Sequence, residues 1–147
     1  QVAGRAGRAG RSGQVMLQTY MPDHAVMQAL ASNKRDEFIQ VEEEARRVAG
    51  MPPFGRLAAL IVSGRDEPAV DAAARDLGRM APTGKNIRVL GPAPAPLAML
   101  RGRHRRRLLL QTARDVNIQD IITSWLVGVS LARNVRVQVD VDPYSFF

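Results

Sequence analysis

Arg101-Gly102-Arg103-His104-Arg105-Arg106-Arg107 puts five arginines into seven positions. Side chains alternate along a strand, so Arg101, Arg103, Arg105 and Arg107 would share one face of a continuous one. Guanidinium groups in such a row can track phosphates, with His104 and Arg106 beside them. The ionic part of such binding weakens as salt rises. The plainer reading is a solvated sheet edge, where basic side chains discourage edge-to-edge pairing. Five arginines in seven positions exceed what edge protection requires. Gly102 marks a turn or a close backbone approach between two short strands.

A second cluster opens the chain, Gln1-Val2-Ala3-Gly4-Arg5-Ala6-Gly7-Arg8. By composition alone it is a Gly/Arg tail that touches nucleic acid without specificity. Its spacing, however, resembles Q-x-x-G-R-x-G-R, the sixth motif of superfamily 2 helicases. That resemblance implies an arginine finger, in which Arg5 and Arg8 stabilise charge developing on a γ-phosphate. Gln1 and Gly4 would then belong to the nucleotide cleft. Residues three apart lie on one side of a helical turn, so both arginines can face one cleft.

Other chemistries find no support. Gly78-Arg79-Met80-Ala81-Pro82-Thr83-Gly84-Lys85-Asn86 only looks like a phosphate-binding loop. It has one residue too many between its glycines, and Asn86 stands where Ser or Thr would hold magnesium. It reads as a turn. No Ser/His/Asp arrangement emerges, and Glu37 and Glu44 are not paired for catalysis. Glu42-Glu43-Glu44 reads as a solvated helix face. With no cysteine, and with His24 and His104 far apart, no metal site is expected. A finger without a phosphate cradle leads to the expectation that these 147 residues are a piece of a longer protein, inactive as an ATPase alone.

Those residues allow one domain, or one domain plus a remnant of another. Hydrophobic residues make up 46%, enough for a packed core, and the net charge of +7 favours polyanionic partners. No apolar run approaches a membrane span, and the Gly- and Arg-rich start shows no signal-peptide core. A cytoplasmic location is the expectation.

The elements that must position the arginines follow from periodicity. Val15–Tyr20 is expected to be a strand, with Asp23 capping a helix that runs to Ala31. A second helix is expected over Lys34–Ala49, ended by Gly50 and Pro52-Pro53. From there the pattern predicts strand Arg56–Gly64, helix Glu67–Met80, and strand Asn86–Leu90. Gly91–Pro96 reads as a rigid extended connector. Strand Arg105–Gln111, helix Val116–Ala132 and strand Val135–Val141 complete the order. The fold class is therefore α/β (α+β), a split β-α-β-β-α-β antiparallel sheet with two helices on one face. Trp125 and Phe38, at apolar helical positions, read as core. Tyr144, Phe146 and Phe147 read as packing on a neighbouring lobe, or as exposed in its absence.

Further segments carry a more specific resemblance. Gly50-Met51-Pro52-Pro53-Phe54-Gly55-Arg56, Leu90–Pro96, Leu100–Arg107 and Val137–Pro143 occur in the order found in the primosomal protein N′ family of replication-restart DNA helicases. Gln1–Arg8 and Gln18–His24 extend the likeness over nearly the whole chain. The resemblance implies residues 1–22 as the end of the second helicase lobe, 23–55 as a helical linker, and 56–147 as the C-terminal α/β domain. It implies an ATP-dependent 3′-to-5′ DNA helicase acting at abandoned forks. ATP with Mg2+ and structural zinc would belong to the whole protein, and this stretch would hold no cofactor. The implied partners are forked or branched DNA, single-stranded DNA-binding protein and other primosome proteins, with no membrane. Within it, Arg101, Arg103, His104, Arg105 and Arg107 would contact DNA. Many relatives carry an aromatic residue where Arg106 stands, so a stacking contact there would be replaced by charge. Two other classes stay open: a nucleic-acid-binding module with no motor, and a protein-docking domain.

Overall fold

The computed structural model describes residues 15–143. The chain divides within its second helix into two units, one ending at Glu42 and one starting at Glu43.

In the first unit, residues 15–19 adopt no regular structure and are exposed. The strand expected at Val15–Tyr20 is therefore absent. A strand must exchange hydrogen bonds with a neighbour, and no other strand pairs with this segment among the described residues. Helix α1 spans Ala25–Ser32 and helix α2 spans Arg35–Val48. His24, not Asp23, caps α1, its Nδ1 accepting the Val26 N–H at 3.3 Å. Asn33, in the left-handed region, ends α1. Neither helix fully buries a residue, and Phe38 is half-buried, lining a groove with Ala25, Ala29 and Val41.

In the second unit, α2 ends in a Schellman turn. Met51 N–H reaches the Arg46 carbonyl at 2.9 Å and Gly50 N–H reaches Arg47 at 3.2 Å, with Gly50 at φ 61°. Gln111 Nε2 then donates to the Ala49 and Gly50 carbonyls at 2.6 and 2.9 Å. Gly55 admits no side chain, since a Cβ there would lie 2.1 Å from the Gly50 oxygen.

The chain continues through β1 (Gly55–Gly64), α3 (Glu67–Arg79), β2 (Ile87–Leu100), β3 (Arg103–Ala113), α4 (Ile118–Val127) and β4 (Arg136–Val141). The sheet order is β2-β3-β1-β4, and every pairing is antiparallel. This is the ferredoxin-like split βαβ arrangement expected from the order of elements.

One face carries the core. Ala58, Leu60 and Val62 of β1 and Leu108 and Leu110 of β3 pack with Val70, Ala73, Ala74 and Leu77 of α3 and Ile118, Ile122 and Trp125 of α4. Trp125 is buried, as its position predicted, and its Nε1–H donates to the Leu77 carbonyl at 3.0 Å, tying the two helices together. Asn117 caps α4 by accepting from Gln119 and Asp120 N–H.

Two boundaries differ from the periodicity. α4 stops at Val127 with Gly128 as its C-cap, although Val129 beyond it is still buried. β2 runs through Gly91–Pro96 to Leu100, so the proline segment belongs to the sheet. It can do so because β2 is an edge strand, where a missing N–H is tolerated on the outer side.

Candidate nucleic-acid interface

Alternation decides which way each arginine of β3 turns. Leu108, Leu110 and Thr112 are buried on the helix side, so His104 and Arg106 belong to that side. Arg103, Arg105 and Arg107 fall on the opposite face, which no helix of this unit's core covers. Arg101 leaves the row altogether. It sits in the two-residue turn Arg101-Gly102, with φ of 50° and 70°, which is the primed turn that suits a twisted hairpin. Thus the structure brings together Arg103, Arg105 and Arg107, and separates them from His104 and Arg101.

The helix-side residues are internally compensated. Arg106 NH2 donates to Glu67 at 2.8 Å and its Nε to Asp71 at 2.6 Å. His104 Nδ1 lies 3.5 Å from the same Glu67 carboxylate. The Glu67 hydrogen bond chiefly, and Asp71 with it, raise the Arg106 pKa above the ordinary arginine value against the lowering effect of burial.

The open face is different. Arg103 has no carboxylate partner among the described residues, and Arg105 donates only to the Leu97 carbonyl at 3.4 Å and to no acid. Arg107 is engaged within the molecule. Arg136 joins this face from β4, because Val137, Val139 and Val141 pack on the core and leave Arg136, Gln138 and Asp140 outward. Ser63 is the register partner of both Arg105 and Arg136. The two arginines therefore flank β1 in one cross-sheet row, their backbones about 10 Å apart. Sequence reading missed Arg136, although the valine alternation of β4 carried the signal.

Ile61 and Leu109 lie between these charges, paired with Arg107 and Ala59 respectively. Asp140 stands opposite Ala59, toward the other end of the strands. The carboxylates thus sit away from the Arg103–Arg105–Arg136 end. At the far end a cleft of about 390 Å3 is lined by Phe54, Asn86, Arg88 and Gln111, with Arg47 stacked 4.1 Å over the Phe54 ring.

Gln1, Gly4, Arg5 and Arg8 lie outside the described residues, as do Tyr144, Phe146 and Phe147. Zinc and the chain's own residues do not fit each other. The sequence holds no cysteine, and among the described residues no three His, Asp or Glu gather where a metal could bind. No helix among them is long and apolar enough to cross a membrane.

Fold and face together define a small split βαβ domain with a basic open sheet surface. The family model described as the primosomal protein N C-terminal domain matches residues 47–144, and the chain belongs to that family. It is 37% identical over 147 residues to the replication restart protein PriA of Rickettsia conorii, covering all of this chain and 22% of that protein. The Haemophilus influenzae protein of the same name is 35% identical over 150 residues, covering 97% of this chain and 20% of its own length. That of Bacillus subtilis is 28% identical over 149 residues, covering 98% and 18%. The chain spans about a fifth of the length of these relatives.

Proposed function

We propose that the chain serves replication restart as the C-terminal part of an ATP-dependent 3′-to-5′ DNA helicase, and that its share of the work is to hold forked DNA by the phosphates. The observation that carries this reading is the charge partition across β3. Arg106 and His104 face acids on α3, whereas Arg103, Arg105 and Arg136 stand on the open face with no acid partner among the described residues. Unpaired guanidinium groups gathered on one sheet face favour a polyanion. ATP with Mg2+ would act elsewhere in the whole protein, with Arg5 and Arg8 reaching it from this chain. Zinc would be held by segments other than this one.

The salt dependence of binding tests the reading. Removing one arginine–phosphate pair should flatten the log-affinity against log-salt slope by about 0.7–0.9. Arg103→Ala with Arg136→Ala should reduce the slope by roughly 1.4–1.8, with sequence preference unchanged. Circular dichroism must show the variant folded, because arginine stems also pack. A folded double variant with the parent's slope would overturn the phosphate reading and leave edge protection only to Arg136 on β4, because β3 lies inside the sheet.

A second reading rests on the apolar residues of the same face. Ile61 and Leu109 among arginines suit an acidic peptide with an apolar end, such as a tail of single-stranded DNA-binding protein or another primosome protein. Competition between such a peptide and forked DNA distinguishes a shared surface from separate ones.

A further inference from the structure

The β2–β3 hairpin outruns the rest of the sheet. β1 ends at Gly64 opposite His104, so Leu100, the Arg101-Gly102 turn and Arg103 have no neighbour in β1. Just below the tip the two strands are unequal. Pro94 pairs with Arg106 and Met99 with His104, so Ala95, Pro96, Leu97 and Ala98 together oppose Arg105 alone. This bulge is held in place, for Ala95 is buried and the Arg105 guanidinium bonds the Leu97 carbonyl at 3.4 Å. Bulges re-aim side chains, often beside working sites.

Three large apolar side chains are exposed here, Leu100 on the open face with Arg103, Met99 on the helix-side face with His104, and Leu97 in the bulge. Leu97 is 57% exposed, Met99 58% and Leu100 41%. Apolar groups gathered on a projecting tip mark a surface that something covers. Their setting states the chemistry of the cover, since Arg101 and Arg103 carry no acid partner among the described residues. A surface that is polyanionic at its rim and apolar at its centre is the open end of a nucleic-acid duplex. There the last base pair shows its face between two phosphate backbones.

We infer that the hairpin tip is a wedge seated at the junction between duplex and single strands, with Leu100 on its open face and Met99 on its helix-side face against the two parted bases, Leu97 of the bulge beside them, and Arg101 and Arg103 on the flanking phosphates. The inference rests on the proposed DNA-holding role of this face and adds an apolar interaction that salt does not screen. The tight Arg101-Gly102 turn and the prolines of β2 stiffen the tip, so little order need be gained on binding.

The test uses the full-length protein and two DNAs, a fork with 2-aminopurine at the junction pair and a dumbbell duplex closed at both ends. The parent should raise 2-aminopurine fluorescence at the junction and not when the probe lies well inside the duplex. The triple variant Leu97→Ser, Met99→Ser, Leu100→Ser should abolish that rise and weaken fork binding about five- to tenfold. Its affinity for the dumbbell and its salt slope should match the parent's. Arg103→Ala with Arg136→Ala should flatten the slope on both DNAs, so failure of the phosphate reading shows in a different variant from failure of the wedge. A triple variant that keeps the fluorescence rise and the fork-to-dumbbell affinity ratio overturns the wedge. A fall in its thermal midpoint also overturns it, since the tip would then be packing on another part of the protein.

Discussion

Arg106 and Glu67 meet at 2.8 Å on the helix side of the sheet, and Asp71, one turn further along α3, takes the Nε of the same guanidinium at 2.6 Å. Adjacent arginines of one strand are thereby given different work. Arg106 pins the first turns of α3 to β3, while Arg105 and Arg103 look the other way. Only 16% of the Arg106 side chain is exposed, so this pairing is worth more than an ordinary surface ion pair.

Arg106→Ala should accordingly destabilise the domain by about 1–2 kcal/mol, while Arg103→Ala changes stability by less than about 0.5 kcal/mol. Urea denaturation measures both. The raised Arg106 pKa makes its contribution fully present below the unfolded-state arginine value and lost only as pH climbs through the folded one. Titration of Arg106 should therefore add no pH dependence to stability across the neutral range. Equal losses from the two variants would contradict the partition.

Asp142 closes the opposite end of the sheet. Its Oδ1 accepts the Leu57 N–H at 3.1 Å, and its Oδ2 accepts Arg56 Nε and NH2 at 3.2 and 2.9 Å. The residue itself is left-handed at φ 51°. Asp142→Ala should cost about 1–2 kcal/mol, and Asp142→Asn less, because asparagine tolerates this backbone and keeps an acceptor for Leu57. Thermal midpoints of the two variants, compared with the parent, decide it.

Trp125 is the single tryptophan of the chain and is 4% exposed. Its emission should be blue-shifted in the folded domain and should report unfolding of the α3–α4 layer. Trp125→Phe should lose about 1 kcal/mol through the orphaned Leu77 carbonyl, and Trp125→Ala about 3–5 kcal/mol. A red-shifted emission in the native protein would place the indole in water and refute the packing.

On the proposed helicase reading, Arg8→Ala in the full-length protein should depress ATP turnover about 10³–10⁵-fold, the scale of arginine-finger losses in related phosphoryl transfer. Arg5→Ala should act in the same direction, less severely. Steady-state hydrolysis with saturating DNA is the measurement. Weakened DNA binding with hydrolysis intact would make Gln1–Arg8 a nucleic-acid tail.

Legibility varied with how much each element depends on distant partners. β1, α3, β3 and β4 carry strong valine and leucine periodicity toward one core, and each forms within two residues of its expected bounds. Val15–Tyr20 has similar local character and no partner strand among the described residues, so pattern alone misled. The proline run looked like a connector because proline lacks the donor a central strand needs, yet on an edge it is admissible. Within the arginine segment, alternation alone could separate Arg103, Arg105 and Arg107 from His104 and Arg106. Which face the helices cover, and hence which set is compensated, depends on Glu67 and Asp71 arriving from another element. The bulge at Ala95–Ala98 leaves no mark in the sequence that distinguishes it from a plain loop.

The prolines and bulge of β2 also bear on what the sheet can become. A sheet with two regular edges can add strands at both sides and propagate from molecule to molecule. Here the outer side of β2 is broken by Pro92, Pro94 and Pro96 and by the four-residue bulge, so no regular ladder can be laid along it. Among the described residues β4 alone offers an unbroken rim. Growth through one competent rim ends when two such rims meet, which limits edge-mediated self-association of this domain to a closed pair and denies it a fibre.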